Sequence, residues 1–395
     1  MTSRRLNRLD GRLLRLQRPS RPWAISVAAH TDIAVRRSEV VGAVEGLAMA
    51  DPSWTARLTG DDPGRLCWEA DRGAVVGVEP GNGVVGLDRP FELRRESPIR
   101  VSVDRTPAGG VIHLAVNHAF SDGRGALLLL RNLMAALGGH ESAPVSAVTD
   151  EDLSGLSPGG IMTRARVVAA ITRHAVRRVA GLGIDERDPT VMATEIVDTV
   201  GLGDWRSTHP GLSINDICVT AIHRALRDRA EGPRTVAVGI PIDLRRRVGT
   251  SASVGNAVLN ATTVSGGEAE QDPGREAAGH SAAIRAQSTT EWLGAQLAVF
   301  TRFSKPGERP PKEPRLSLGW PETAVCSNLG RVEDDPAWTG VNHIEFAPPA
   351  HRIPSIGIAT LGSTMTIVVR LRGPEDLARS IAGDVVSHLE RRGHS

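Results

Sequence analysis

Val111-Ile112-His113-Leu114-Ala115-Val116-Asn117-His118-Ala119-Phe120-Ser121-Asp122-Gly123 is the stretch that decides how this chain is read. Its alternation predicts a strand with Ile112, Leu114, Val116 and His118 on one face and His113 and Asn117 on the other. If the apolar face is inward, His118 closes a buried row where the strand gives out. An imidazole there is poorly solvated and stays neutral, with a lone pair available as a general base near pH 7. Four residues later Asp122 opens a helix near Gly125–Leu137, with Leu127, Leu130, Leu133, Met134 and Leu137 at helical spacing and Gly138-Gly139 as its stop. A carboxylate at a helix start is favoured by the dipole and free N–H groups, by about 0.3–1 kcal/mol. Gly123 and Gly125 leave the backbone bare, so a ligand can approach closely, and the Gly123 N–H is a candidate donor to a developing oxyanion. Taken singly, a histidine at a strand end is more often structural than catalytic, and an aspartate there is more often a cap. The spacing of the two is what carries information.

Outward from this stretch, strand-like and helical runs alternate, which predicts an α/β (α+β) fold. Trp23–Ile33 reads as a strand and Ser38–Ala48 as a helix capped by Ser38. Residues 139–160, rich in Gly, Ser, Pro and acids, read as a linker, and a basic helix around 161–181 as a bridge between two halves, 1–160 and 161–395. In the second half Ser213–Arg229 reads as a helix capped by Ser213 or Asn215, followed by a strand at Thr235–Ile240. Residues 264–280 read as an exposed loop, Trp292–Phe303 as a helix and 306–314 as a proline-dense loop. Strands near Ala324–Ser327, Ile356–Thr360 and Thr364–Arg370 and a terminal helix Glu375–Arg391 complete the pattern.

The 395 residues suit about two domains. Forty-seven basic and 45 acidic residues leave a net charge of +2, too balanced for a partner of nucleic acid or an anionic membrane. Only Lys305 and Lys312 are lysines; the arginines are scattered, as a coding bias would leave them. Cys67, Cys218 and Cys326 are too few and too dispersed for a disulfide framework or zinc knuckle. No apolar run reaches the roughly 20 residues of a membrane span. The N-terminus interleaves Arg4, Arg5, Arg8, Arg12, Arg15, Arg18 and Arg21 with Leu6, Leu9, Leu13, Leu14 and Leu16. Arg8, Asp10, Arg12 and Arg15 break the apolar core that a signal peptide needs. A docking arm packing its leucines on the first domain is expected, in a cytoplasmic protein.

Several motifs fail on context. Gly81-Asn82-Gly83-Val84-Val85-Gly86 has the GxGxxG form, but a strand and turn follow where a phosphate-binding helix is required, so it reads as a hairpin. Leu137-Gly138-Gly139-His140-Glu141-Ser142 is near a phosphopantetheine attachment site with its serine one place late, and reads as a helix end. Walker and HExxH motifs are absent. Trp205, Trp292 and Trp320 read as core or channel wall.

His118-x-x-x-Asp122-Gly123 resembles the HHxxxDG signature of the condensation-domain and CoA-dependent acyltransferase superfamily, whose fold is that of chloramphenicol acetyltransferase. Three further segments resemble the family in order: Ser213-Ile214-Asn215-Asp216-Ile217, Pro241-Ile242-Asp243-Leu244-Arg245 with Val254-Gly255-Asn256, and Cys326-Ser327-Asn328-Leu329-Gly330. Together they cover most of the chain. In length it is most similar to freestanding polyketide-associated acyltransferases and wax-ester synthase relatives. The resemblance implies two acetyltransferase-like subdomains forming a V-shaped pseudo-dimer around a channel, with His118 as the base. Asn117 stands where the family has its first histidine, facing away from the reaction, which leaves it packing and hydrogen bonding. Asp122 matches the family's structural aspartate, and Arg245 is the candidate partner. Burying that carboxylate without a cation would cost several kcal/mol.

What the resemblance further implies is thioester-dependent acyl transfer to a hydroxyl or amine in secondary-metabolite or lipid biosynthesis. The donor is acyl-CoA or an acyl or peptidyl carrier protein, with a small-molecule acceptor. No covalently bound cofactor and no metal is required. Oxyanion or substrate contacts fall to Gly123, Ser327 and Asn328. The alternatives are epimerisation or cyclisation in the same channel, or a non-catalytic carrier-recruitment module.

Overall fold

A computed structural model describes residues 3–390 apart from 18–22, 62–65, 72–75, 82–88, 107–108, 158, 177–181, 183, 185–187, 230–234, 251, 267–271, 303–321 and 351–352. The glycine turn at 81–86, the proline-dense loop and Trp320 therefore lie largely or wholly outside the described residues.

Each half is built on one mixed sheet. The first runs Val341–Ala347, Ala24–Thr31, Gly109–Asn117, Ile99–Thr106, Val78–Pro80, antiparallel except for its last pair. Ile112, Leu114 and Val116 meet Ile25, Val27, Val101 and the helices Arg37–Ala50 and Gly123–Leu137 in one core, as the alternation requires. The second runs Val258–Ser265, Val236–Asp243, Ala324–Val332, Ser355–Leu361, Thr364–Arg372, Thr190–Asp198. Helices Ile214–Arg229 and Glu375–Glu390 pack on it, burying Ile217, Ile222, Leu226, Ile381 and Val385.

The strand Val341–Ala347, unassigned from sequence, lies in the first half's sheet against Ala24–Thr31. Residues 139–160 are also tied across: Ser146–Ala147 pairs in parallel with Ser253–Val254. Thr149 and Asp152 form a capping box for the short helix Asp150–Ser154. Of the basic helix expected around 161–181, Ile161–Val176 is described, and it packs through Val167 on Ala295 and Val299 of the helix Thr290–Arg302.

Two local expectations are corrected. Residues 264–280 are not one loop, because Asp272 caps and Pro273 starts a helix, Pro273–Gln287, whose Ala277, His280 and Ser281 are buried. Ser38 is not a cap: the helix starts at Arg37, and the Glu39 carboxylate accepts from the Arg36 N–H at 2.8 Å. Among the described residues no helix is long and apolar enough to cross a membrane.

Candidate active site

Between the halves lies a cavity of about 240 Å³. His118 reaches it from the first half beside Trp23 and Gly123; Ser327 and Asn328 reach it from the second; Leu13 and Leu16 of the N-terminal helix wall it.

The strand ends at Asn117, and a turn over residues 118–120 carries the chain to Asp122. The His118 N–H donates to Trp23 O at 2.6 Å, and its carbonyl accepts from Asn256 Nδ2 at 2.8 Å, so both halves hold its backbone. Its ring lies 5.9 Å from the Trp23 ring at 31°. Nδ1 is 3.2 Å from Ser121 O, and a carbonyl only accepts, so Nδ1 carries the proton and Nε2 the lone pair. Burial lowers the imidazole pKa below its ordinary 6.5, against the pull of Asp122, which keeps the ring neutral.

Asp122 caps Gly123–Leu137 by accepting from Gly125 N at 3.1 Å. Its two oxygens also take a bidentate pair from Arg245, at 3.0 Å to Nη1 and 2.8 Å to Nη2, and the Ala257 N–H at 2.9 Å. Burial opposes ionisation of this carboxyl, but Arg245 and these N–H bonds hold it below the usual carboxylate range. Arg245 is 3 % exposed and saturated: it also donates to Ser253 O, Ser253 Oγ, Gly255 O and Asp243 Oδ1. Gly255 makes its turn at φ +98°, where a side chain is strained and its Cβ would meet Arg4 Nη1 at 2.4 Å.

Gly123 is glycine for a steric reason. A Cβ there would stand 2.8 and 2.9 Å from the Phe346 ring and 3.0 Å from Leu329 Cδ2. The helix start is thus pressed against residues from the far end of the sequence, its first N–H groups unclaimed by the helix itself.

Asn117, fully buried, faces the other way: Nδ2 donates to Gln17 Oε1 at 3.0 Å and Oδ1 accepts from Ala119 N at 3.0 Å. Asn328 Nδ2 donates to Asn215 Oδ1 at 3.1 Å, and its Oδ1 accepts from Gly330 N at 2.7 Å, fixing the bulge between Asn328 and Arg331 in the strand Ala324–Val332. Asn215 is therefore a contact of this strand, while Ser213 and Asp216 form the capping box of Ile214–Arg229. Cys218 and Cys326 are buried in the second core, and burial pushes the Cys326 thiol far up, so neither is a nucleophile.

The N-terminal arm, absent from the candidate residues, is built into the site. Ser3–Arg5 pairs with Cys67–Ala70, and Asn7 and Asp10 form a capping box for Arg8–Leu16. Asp10 Oδ1 accepts from Asn256 Nδ2 at 2.7 Å and Asn256 N at 3.0 Å; Arg4 stands 3.3 Å from Oδ2. Burial raises the Asp10 carboxyl to about 6 despite Arg4. Leu9 joins Leu244, Leu259 and Leu293 of the second half, while Leu6, Leu13 and Leu14 pack on the first core. Arg12 stacks on Phe300 at 3.6 Å. The signals were the Asn-x-x-Asp spacing and the i, i+4, i+7 run Leu9, Leu13, Leu16.

No family model matches the chain. It is 25% identical over 360 residues to the uncharacterised protein Rv2305 of Mycobacterium tuberculosis strain H37Rv, covering 82% of each chain. Among solved structures it is similar to the first condensation domain of the calcium-dependent antibiotic synthetase bound to a substrate analogue (TM-score 0.76, 13% identity, 100% of this chain and 97% of that one). It is also similar to the epimerization domain from the third module of tyrocidine synthetase B (0.67, 14%, 100% and 97%). A third is a double mutant of the starter condensation domain of rhizomide synthetase RzmA, in complex with C8-CoA and Leu-SNAC (0.65, 11%, 100% and 94%). The chain therefore has the fold of condensation domains: two chloramphenicol acetyltransferase-like subdomains in one polypeptide.

Proposed function

We propose that this protein is a condensation-type acyltransferase acting in the cytoplasm. It moves an acyl group from a CoA or phosphopantetheinyl carrier-protein thioester to the hydroxyl or amine of a small acceptor, in secondary-metabolite or lipid assembly. The observation that carries this reading is the neutral imidazole of His118, held in one tautomer at a cavity between the halves, beside a bare helix start.

In the mechanism, His118 Nε2 takes the acceptor's proton as its oxygen or nitrogen attacks the thioester carbonyl. The Gly123 N–H, with Ser327 and Asn328 opposite, stabilises the tetrahedral oxyanion. Collapse breaks the C–S bond, and the thiolate leaves with the proton from the imidazolium. Asp122 and Arg245 fix the helix start rather than touch substrate, and Asn117 anchors the strand end from behind. The RzmA complex with C8-CoA supports a CoA or phosphopantetheine thioester as donor.

The likeness to an epimerization domain favours a second reading, in which His118 moves a proton on carbon. One experiment separates the two. The protein is incubated with acyl-CoA and acylated carrier-protein donors plus hydroxyl and amine acceptors, and mass spectrometry follows acceptor acylation and thiol release. Transfer is expected from the wild type, falling by about 10²–10⁴-fold in His118→Ala. Undiminished transfer in that variant overturns the proposal. Deuterium uptake from solvent into a bound thioester, without thiol release, moves the assignment to epimerisation.

A further inference from the structure

The strand Val341–Ala347 presses Phe346 against Gly123 with one face. Its opposite face carries His343 and Glu345. In the ladder His343 lies opposite His30, and Glu345 opposite Ala28. Residues two apart share a face, so His30, His343 and Glu345 stand together on the side of the sheet away from the first core.

His30 Nε2 is a buried nitrogen 3.2 Å from Glu345 Oε1, an ion pair without a well-aligned hydrogen bond, and the same carboxylate also faces Thr194. The His343 ring stacks on His30, centroids 4.1 Å apart at 19°. One donor atom from each of the three residues lies within 4.8 Å of the other two. His113, across Ala28, is engaged by Asp104 at 3.0 Å and stands outside this trio.

We infer that His30, His343 and Glu345 bind a divalent transition-metal ion, with zinc the best match. Two imidazole nitrogens and one carboxylate oxygen are a borderline-soft donor set suited to zinc, with water in the fourth position. Donors roughly 2.0–2.1 Å from a tetrahedral ion stand about 3.3–3.4 Å from one another. The His30–Glu345 separation already meets this. His343, partly exposed on the sheet's edge strand, closes the set by a side-chain rotation. Such an ion would clamp the edge strand to its neighbour Ala24–Thr31, and with it the seat of Phe346 over the helix start. The site does not depend on the acyl-transfer reading.

The full chain, free of any histidine tag and stripped of metal, is titrated with Zn²⁺ and separately with Co²⁺. One equivalent is expected to bind with a dissociation constant on the order of micromolar or tighter, and the Co²⁺ form to show the strong visible absorption of four-coordinate cobalt. His343→Ala and His30→Gln are each expected to weaken binding by about tenfold or more. His388→Ala, removing an imidazole that faces Asp228 elsewhere on the surface, should leave it unchanged. Zn²⁺ should raise the Tm of the wild type and not that of His343→Ala. Circular dichroism confirms folding; should His30→Gln unfold, the half-exposed His343→Ala decides. Absence of stoichiometric binding, or undiminished binding in folded His343→Ala, overturns the inference.

Discussion

Asp122 and Glu276 are both buried carboxylates held by arginines, and they do different work. Glu276 joins two helices of the second half: Oε2 accepts from Arg224 at 2.7 Å and Oε1 from Arg227 at 3.1 Å. Burial opposes its ionisation, but His280 and the two arginines bring it down to about 2. Asp122 and Arg245 lie 123 residues apart in sequence, and their pair spans the halves at the cavity wall. The physics is the same; the placement differs. One pair holds a fold together, the other fixes where a helix begins relative to an imidazole.

The strongest test of that contrast is Asp122→Ala. It leaves Arg245 buried without its main counter-charge, at an expected cost of about 3–5 kcal/mol by chemical denaturation. Because the helix start loses its cap as well, acyl transfer should fall by more than the folded fraction accounts for. Next comes Gly123→Ala, whose Cβ must displace Phe346 or Leu329. We expect about 1–3 kcal/mol of destabilisation, with transfer reduced in the fully folded protein, measured as kcat at saturating donor. Glu276→Gln should cost about 1–3 kcal/mol and leave kcat per folded molecule unchanged; a matching loss of kcat would erase the distinction.

The same carboxylate also sets a pH dependence in acid. Glu276 is shifted down on folding, from 4.5 to about 2, so its contribution is complete above pH 4.5 and lost as pH falls toward 2. Unfolding curves of the wild type should therefore lose stability relative to Glu276→Gln over that interval. Asp122, also lowered on folding, adds its own loss below its ordinary 3.8.

The strand and helix flanking His118 were legible because period-two alternation and helical leucine spacing are local signals, and the same holds for most helices of the second half. What was not legible depended on distance. The strand Val341–Ala347 has the residues of a strand, but nothing local says that it completes the other half's sheet. Asp10 looks like a helix cap and is one; that it also holds Asn256, and through it the His118 carbonyl, is a contact across 246 residues. Pro273–Gln287 was hidden because its buried stripe, Glu276, Ala277, His280 and Ser281, is mostly polar and leaves no apolar period to read. Among the site residues, Arg245 sits in a run of three arginines of which only it is buried, and only the fold separates it from Arg246 and Arg247.

The central claim is that a neutral His118 is the base, and the pH dependence of kcat/KM for acyl transfer tests it most directly. Burial lowers this imidazole, and a base must be unprotonated, so the wild-type rate should rise with pH through one limb whose midpoint lies below 6.5 and stay level through neutrality. In His118→Ala the residual rate should lack that limb. The same limb persisting in the variant would contradict the account and place the base elsewhere.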